Sequence, residues 1–263
     1  MRVITWNMRR AKTGSPSWDY FNEIDPNVAL LQEINELPDS IIDKYDHKYL
    51  KAFSKSGKDQ QFGTAILVKG RVSSDLDLSS EIQWILDEIK LFKGNLVGCV
   101  IEPYDSEPIN VISAYSPAWP VDKKRLHGID LSGIKLDDNP DLWLTEILWC
   151  ALKYADIKES ERWIVAGDLN SSETFDIKWG PRGNKQVMDR MKDLGLYECL
   201  KGFQKVLTPT FRHSSGKIED QLDHLFVTQC LANDLINCKV GSKSLVFDKS
   251  LSDHLPVIAE FSD

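Results

Sequence analysis

A series of short apolar runs, each meeting a polar side chain at one end, constrains this chain more than any other feature. Val3-Ile4-Thr5-Trp6 runs into Asn7, and Val28-Ala29-Leu30-Leu31 runs through Gln32 into Glu33. Asn110 to Ala114 ends on Tyr115, and Trp163 to Gly167 ends on Asp168, with Asn170 beyond it. Asp223 stands at the head of the run to Thr228, and Asp253-His254 stands at the head of Leu255 to Phe261. Runs this short, bounded by turn residues, read as buried strands rather than helices. Because the polar residues fall at strand ends, they can project from the edge of a core without being buried inside it.

Between these runs, Trp18, Phe21 and Ile24 recur at helical spacing over 17–24, and a second helix is expected within 34–45. Arg9 to Pro16 reads as a polar loop, while 48–53 and 62–68 read as strands. The stretch 79–92 fits either a helix or a strand. Residues 95–102 and 109–115 are expected to pair antiparallel across a short turn carrying Pro103 and Pro108. Trp143, Ile147, Leu148, Ala151, Leu152 and Ala155 give the clearest amphipathic helix, and another is expected over 185–194. Strands outnumber helices and mostly follow one another. That order suggests an α+β chain with two sheets packed face to face and helices outside, not a doubly wound parallel sheet.

The 263 residues and 42% hydrophobic content allow one sizeable core, and no linker, low-complexity tract or repeat divides the chain, so residues 1–263 read as one domain. The first residues read as a strand rather than an export signal, and no apolar run approaches membrane-spanning length. Five cysteines without paired Cys-x-x-Cys spacing read as reduced residues of a cytoplasmic protein. A formal net charge of −8 argues against a protein that coats phosphate backbones non-specifically, though it leaves room for a local basic patch.

If the strand ends converge, Glu33, Asp168, Asp223 and Asp253 share one pocket with two amides, a phenol and an imidazole. Carboxylates that close cannot all ionise without a cation. Oxygen donors without cysteine point to a hard ion, Mg²⁺ or Mn²⁺, and no His-x-x-x-His or Cys/His spacing favours zinc.

The ordered set Thr5-Trp6-Asn7, Leu31-Gln32-Glu33, Gly167-Asp168-Leu169-Asn170, Leu222-Asp223 and Ser252-Asp253-His254 resembles the endonuclease/exonuclease/phosphatase superfamily over nearly the whole chain. The resemblance implies a four-layer α/β/β/α sandwich of two mixed sheets flanked by helices. It also implies a Mg²⁺-dependent hydrolase with Glu33 as central metal ligand and Asn7 and Asp253 near the ion. By the same resemblance, His254 contacts the scissile phosphate or activates water and Asp223 orients it. Asp168 is the other acid-base participant, with Asn170 holding substrate or water beside it. Tyr115, in Ser113-Ala114-Tyr115-Ser116-Pro117, is similar to the exonuclease III and abasic-site endonuclease branch. Gln221 and Phe211 depart from that branch, where Arg and Trp are common.

Basic residues follow three of the motifs: Arg9, Arg10 and Lys12; Lys123, Lys124 and Arg125; Lys178, Arg182 and Lys185. They suggest a basic rim around the site, with Trp119 and Trp179 available to stack on bases. The leading expectation is therefore a nuclease acting on DNA or RNA phosphodiesters. The alternative is a phosphatase or phosphodiesterase of small phosphate esters such as inositol phosphates or nucleotides. A non-catalytic binding module is disfavoured because the matching positions are intact, and no residue pattern points to a protein partner.

Overall fold

A computed structural model describes residues 1–117, 121, 123–131 and 140–262. In chain order the first elements are β1 (Arg2–Ala11), α1 (Ser17–Ile24), β2 (Val28–Ile34), α2 (Asp39–Ile42), β3 (Asp46–Phe53), β4 (Asp59–Val68) and β5 (Gly70–Asp75). Then come α3 (Gln83–Leu91), β6 (Leu96–Pro103), β7 (Ile109–Tyr115), α4 (Trp143–Ala155) and β8 (Trp163–Asp168). The remainder holds α5 (Glu173–Trp179), α6 (Asn184–Asp193), β9 (Leu196–Glu198), α7 (Cys199–Gln204), β10 (Phe211–Arg212) and β11 (Ile218–Asp220). It closes with β12 (Asp223–Thr228), α8 (Gln229–Asn233), β13 (Leu235–Val240) and β14 (Val257–Phe261).

Two six-stranded sheets form, in the orders β13-β14-β1-β2-β4-β3 and β5-β6-β7-β8-β12-β9, with β10 and β11 as a separate small hairpin. Each sheet is mixed, since β1/β2 and β7/β8 pair in parallel while their other neighbours are antiparallel. The alternation of strand side chains builds the layers. Val3, Val28, Leu30, Ile66 and Val257 of the first sheet meet Val97, Val111, Ile164 and Leu225 of the second. Ile4, Trp6, Ala29 and Leu31 face the other way, onto Trp18 and Phe21 of α1. Ile112, Val165 and Phe226 face α3 and α4 through Ile85, Ile89, Trp143 and Leu148. Each fully buried aliphatic side chain contributes about 1.5–3 kcal/mol. The result is the expected helix–sheet–sheet–helix sandwich.

Several local expectations change. Arg9 and Arg10 belong to β1, not to a loop. The β1–β2 register shifts between Asn7 and Ala11, and both arginines adopt left-handed backbone conformations (φ 47° and 61°) in that bulge. The helix expected within 34–45 is reduced to the single turn α2, because β2 runs on to Ile34 and Pro38 holds extended backbone (ψ 147°). The ambiguous 79–92 stretch resolves as α3, with Ile85 and Ile89 buried. β5, β9, β13 and the β10–β11 hairpin are strands that the periodicity did not reveal. β5 is almost wholly polar or half exposed, as suits a sheet edge.

Candidate active site

The pairing brings the polar strand ends together. Parallel β1 and β2 finish at the same edge, with Asn7 opposite Gln32, and antiparallel β14 starts there, with Val257 opposite Thr5. In the second sheet parallel β7 and β8 place Tyr115 opposite Asp168, and antiparallel β12 begins with Asp223 opposite that same Asp168. Gln32 ties the two edges, donating from Nε2 to Ser113 Oγ across the sheets at 3.0 Å. Gly167, just before Asp168, is required by close approach: a Cβ there would lie 1.8 Å from the Ala114 carbonyl oxygen.

At the centre, His254 Nδ1 donates to Asp223 Oδ2 at 2.9 Å, and His254 Nε2 faces Asp168 Oδ2 across 3.8 Å. Asn7 Nδ2 donates to both Asp168 Oδ2 (3.0 Å) and Glu33 Oε1 (3.2 Å), and Asn7 Oδ1 accepts the Arg9 N–H. Asn170 donates to Asp168 from its backbone N–H (3.0 Å) and its Nδ2 (3.2 Å). Glu33 and Asn170 also take left-handed conformations, φ 52° and 46°, so with Arg9 and Arg10 four strained positions border one site.

Burial governs the acid–base character. Asp168 and Asp223 are buried, and His254 is 5% exposed, so the expectation that the strand-end residues project from the core edge without being buried is corrected for these three. Burial, followed by the neighbouring Asp223 charge, pushes the Asp168 carboxyl up to about 7 against the pull of His254 and Asn7. For His254 burial disfavours the charged form, but the Asp223 and Asp168 carboxylates outweigh it and raise the imidazole to about 10. The Tyr115 phenol is raised beyond its ordinary value by burial and by Glu33 and Asp168, so it stays protonated and hydrogen-bonds Glu33.

The donor set fits a hard divalent cation. Asp168, Asp223 and His254 lie within 4.8 Å of one another, but a protonated imidazole offers no lone pair, so the half-exposed carboxylates of Glu33 and Asp253 are the oxygen donors left to hold the cation; among the described residues Asp223 Oδ1 is buried without a hydrogen-bond partner. Asn7 differs from the other candidates, because the nitrogen of its amide, a donor, points at the two acids. Asp253 is half-buried at the mouth, its carboxylate 3.7 Å from Arg9 Nε.

Around the mouth, Arg10 lines a cavity of about 80 Å³ with Glu33, Phe53, Phe62 and Tyr115, its guanidinium 5.5 Å from the Phe62 ring. The broader basic rim shrinks. Arg125 is turned inward against Glu88 at 2.5 Å, Lys178 pairs with Glu219 and Asp220, and Lys185 pairs with Asp189. Trp179 is exposed and stacked on Phe175 at 4.9 Å. Among the described residues, Trp179 and Arg182 share no hydrogen bond, ion pair or ring contact with the carboxylate–imidazole cluster. Trp119 lies outside the described residues. Phe211, marked in the sequence only as standing where Trp is common, packs its ring 4.8 Å from His254, and two neighbours of the cluster carried no signal of their own: Thr210, whose hydroxyl accepts the Asp223 N–H, and Ser116, whose carbonyl accepts Asn170 Nδ2. Thr210 and Ser116 stand in short segments between elements, where composition alone suggests only solvated loop.

Comparison with known proteins fits this arrangement. The model of the Endonuclease/Exonuclease/phosphatase family matches residues 4–254. An AP endonuclease from Archaeoglobus fulgidus superposes with a TM-score of 0.73 at 18% identity, covering 100% of both chains. A 3'-5' exonuclease, NExo, from Neisseria meningitidis gives 0.69 at 18% identity, again over 100% of both chains. A 3' phosphatase, NExo, from Neisseria bound to a product DNA hairpin gives 0.67 at 17%, with the same full coverage. No curated protein matches the chain. With the family's pattern running from β1 to the His254 loop, the chain belongs to the Endonuclease/Exonuclease/phosphatase family.

Proposed function

We propose that the chain is a Mg²⁺-dependent phosphodiesterase, a nuclease acting on DNA or RNA, with one catalytic domain spanning both sheets in a cytoplasmic protein. The observation that carries this reading is the His254 imidazole held between Asp223 and Asp168, beside the Asn7–Glu33 pair. Glu33 and Asp253 would hold the cation, which when bound supplies charge neutralisation on the phosphate oxygens and on the leaving oxygen. As placed, Asn7 acts by holding Glu33 and Asp168 in register.

His254 keeps Nδ1–H on Asp223, so Nε2–H is free to donate to a non-bridging phosphate oxygen. Asp168 accepts the proton of the attacking water. The water oxygen bonds to phosphorus, the ester P–O bond breaks, and the alcohol leaves with a proton returned from solvent. Asn170 keeps the Asp168 carboxylate oriented through two donors. Arg9 and Arg10, exposed on the β1 bulge, contact flanking phosphates.

A second reading, hydrolysis of small phosphate esters, is favoured by one observation: Arg125, Lys178 and Lys185 are engaged in ion pairs, leaving little basic surface for a long polyanion on a chain of net charge −8. A hydrolysis panel separates the two readings. Single- and double-stranded DNA, RNA, an abasic-site duplex, a 3'-phosphorylated oligonucleotide, nucleotides and inositol phosphates are each offered with Mg²⁺, Mn²⁺ or EDTA. Metal-dependent cleavage of a polynucleotide is expected. Turnover of soluble esters alone establishes the second reading, and no turnover with either metal defeats both.

A further inference from the structure

The backbone of His254 is fastened to the end of β1 at two points. Its N–H donates to Ser252 Oγ at 3.0 Å, and the Ser252 hydroxyl donates onward to the Asn7 carbonyl at 2.7 Å. Its carbonyl accepts the Trp6 Nε1–H at 2.8 Å. Ser252 and Trp6 are fully buried and Asn7 nearly so. The same Asn7 holds Glu33 and Asp168 through its side chain. One dipeptide, Trp6-Asn7, is therefore the common origin from which the imidazole and both carboxylates are placed.

We propose that Ser252 is a positioning residue, which sets the His254 imidazole against Asp168 by tying the His254 peptide to Asn7. The assignment rests on the hydrolytic reading above. The tie needs one short group that accepts an N–H and donates to a carbonyl at once, and a hydroxyl is the side-chain group of that reach that does both. Among the described residues the Ser252 hydroxyl has no other hydrogen-bond partner. Because Nε2 stands 3.8 Å from Asp168, a shift of a fraction of an ångström in the His254 peptide changes whether the imidazole and the carboxylate can together reach one phosphate and its attacking water.

Ser252→Ala tests this. Turnover is expected to fall roughly tenfold or more while KM and the Mg²⁺ requirement stay within about twofold, and Ser252→Thr should restore most of kcat. Hydrogen exchange at the His254 amide should quicken in Ser252→Ala relative to Leu30 in β2, a readout that needs neither substrate nor metal. If Ser252→Ala fails to fold, Ser252→Cys, with a weaker donor in a similar volume, is expected to give the same pattern at smaller size. A kcat within about twofold of the unaltered enzyme, a loss that threonine does not rescue, or unchanged exchange at His254 overturns the proposal. A protein that hydrolyses nothing yet shows selective opening at His254 defeats the hydrolytic reading and upholds the tie.

Discussion

Two imidazole–carboxylate clusters lie on either side of Phe211, whose ring packs 4.8 Å from His254 and 4.7 Å from His213. They are built from the same residue types and differ in what fills them. Around Asp220, His213 Nε2 approaches to 2.6 Å, Lys178 Nζ to 2.8 Å, and the Thr174 hydroxyl donates as well, with Lys178 also 3.0 Å from Glu219. The chain thus supplies its own cation, and the cluster staples α5 to the β10–β11 hairpin. Around Asp168 and Asp223, no lysine or arginine of the described residues pairs with either acid, and among those residues Asp223 Oδ1 has no hydrogen-bond partner. A saturated cluster is a fastening; an undersaturated one is a place for something else to bind.

The largest effect should come from emptying the undersaturated cluster. Asp168→Asn and His254→Ala are each expected to cut turnover by about 10³-fold or more in a steady-state assay. His254→Ala should also lower stability by about 3 kcal/mol in denaturant titration, since it leaves buried Asp223 without its imidazole. Activity within tenfold of the starting enzyme in either variant would remove the assignment.

Glu33→Gln is expected to raise the Mg²⁺ concentration for half-maximal activity by about tenfold or more, and an unshifted titration would count against Glu33 as a ligand. Lys178→Met should convert the fastening into a vacancy. It is expected to cost about 2–3 kcal/mol, and added Mn²⁺ should then recover part of the lost thermal stability of that variant, over and above any effect on the unaltered protein. No metal-specific recovery would mean that the two clusters differ in more than the resident ammonium.

The smallest effect concerns acid. Burial alone would raise the Asp220 carboxyl, but hydrogen bonds from Lys178, Thr174 and His213 outweigh it and hold it below the ordinary 3.8. Between the folded value and 3.8 the unfolded chain binds more protons, so stability rises with pH there. The contribution is complete above that window and is lost as pH falls through the folded value. Lys178→Met should therefore move the acid-unfolding midpoint upward by a few tenths of a pH unit, measured by circular dichroism.

Much of the framework was legible because burial writes itself as apolar runs. Leu30, Ile164 and Leu225 mark strands buried on both faces, and the residues ending those strands had to meet once the parallel and antiparallel neighbours were fixed. Where a strand lies at an edge the signal fades. β5 alternates little, and β13 exposes Ile236 while burying Cys238, so neither reads as a strand. The fate of charged side chains was hidden for a different reason. Lys178 and Arg125 follow motif residues in sequence just as Arg9 follows Asn7, yet their partners, Asp220 and Glu88, sit far along the chain and become neighbours only after packing. Sequence proximity to a motif locates a loop; it does not say which way a long side chain turns.

The placement of β14 between β13 and β1 has a consequence for how the centre can come apart. Asn7, Glu33 and Asp168 lie on β1, β2 and β8, whereas the imidazole reaches them only through the pairing of β14 with β1 and the contact of Ser252 with Asn7. Opening that one pairing would therefore withdraw His254 while the other three side chains kept their own strands.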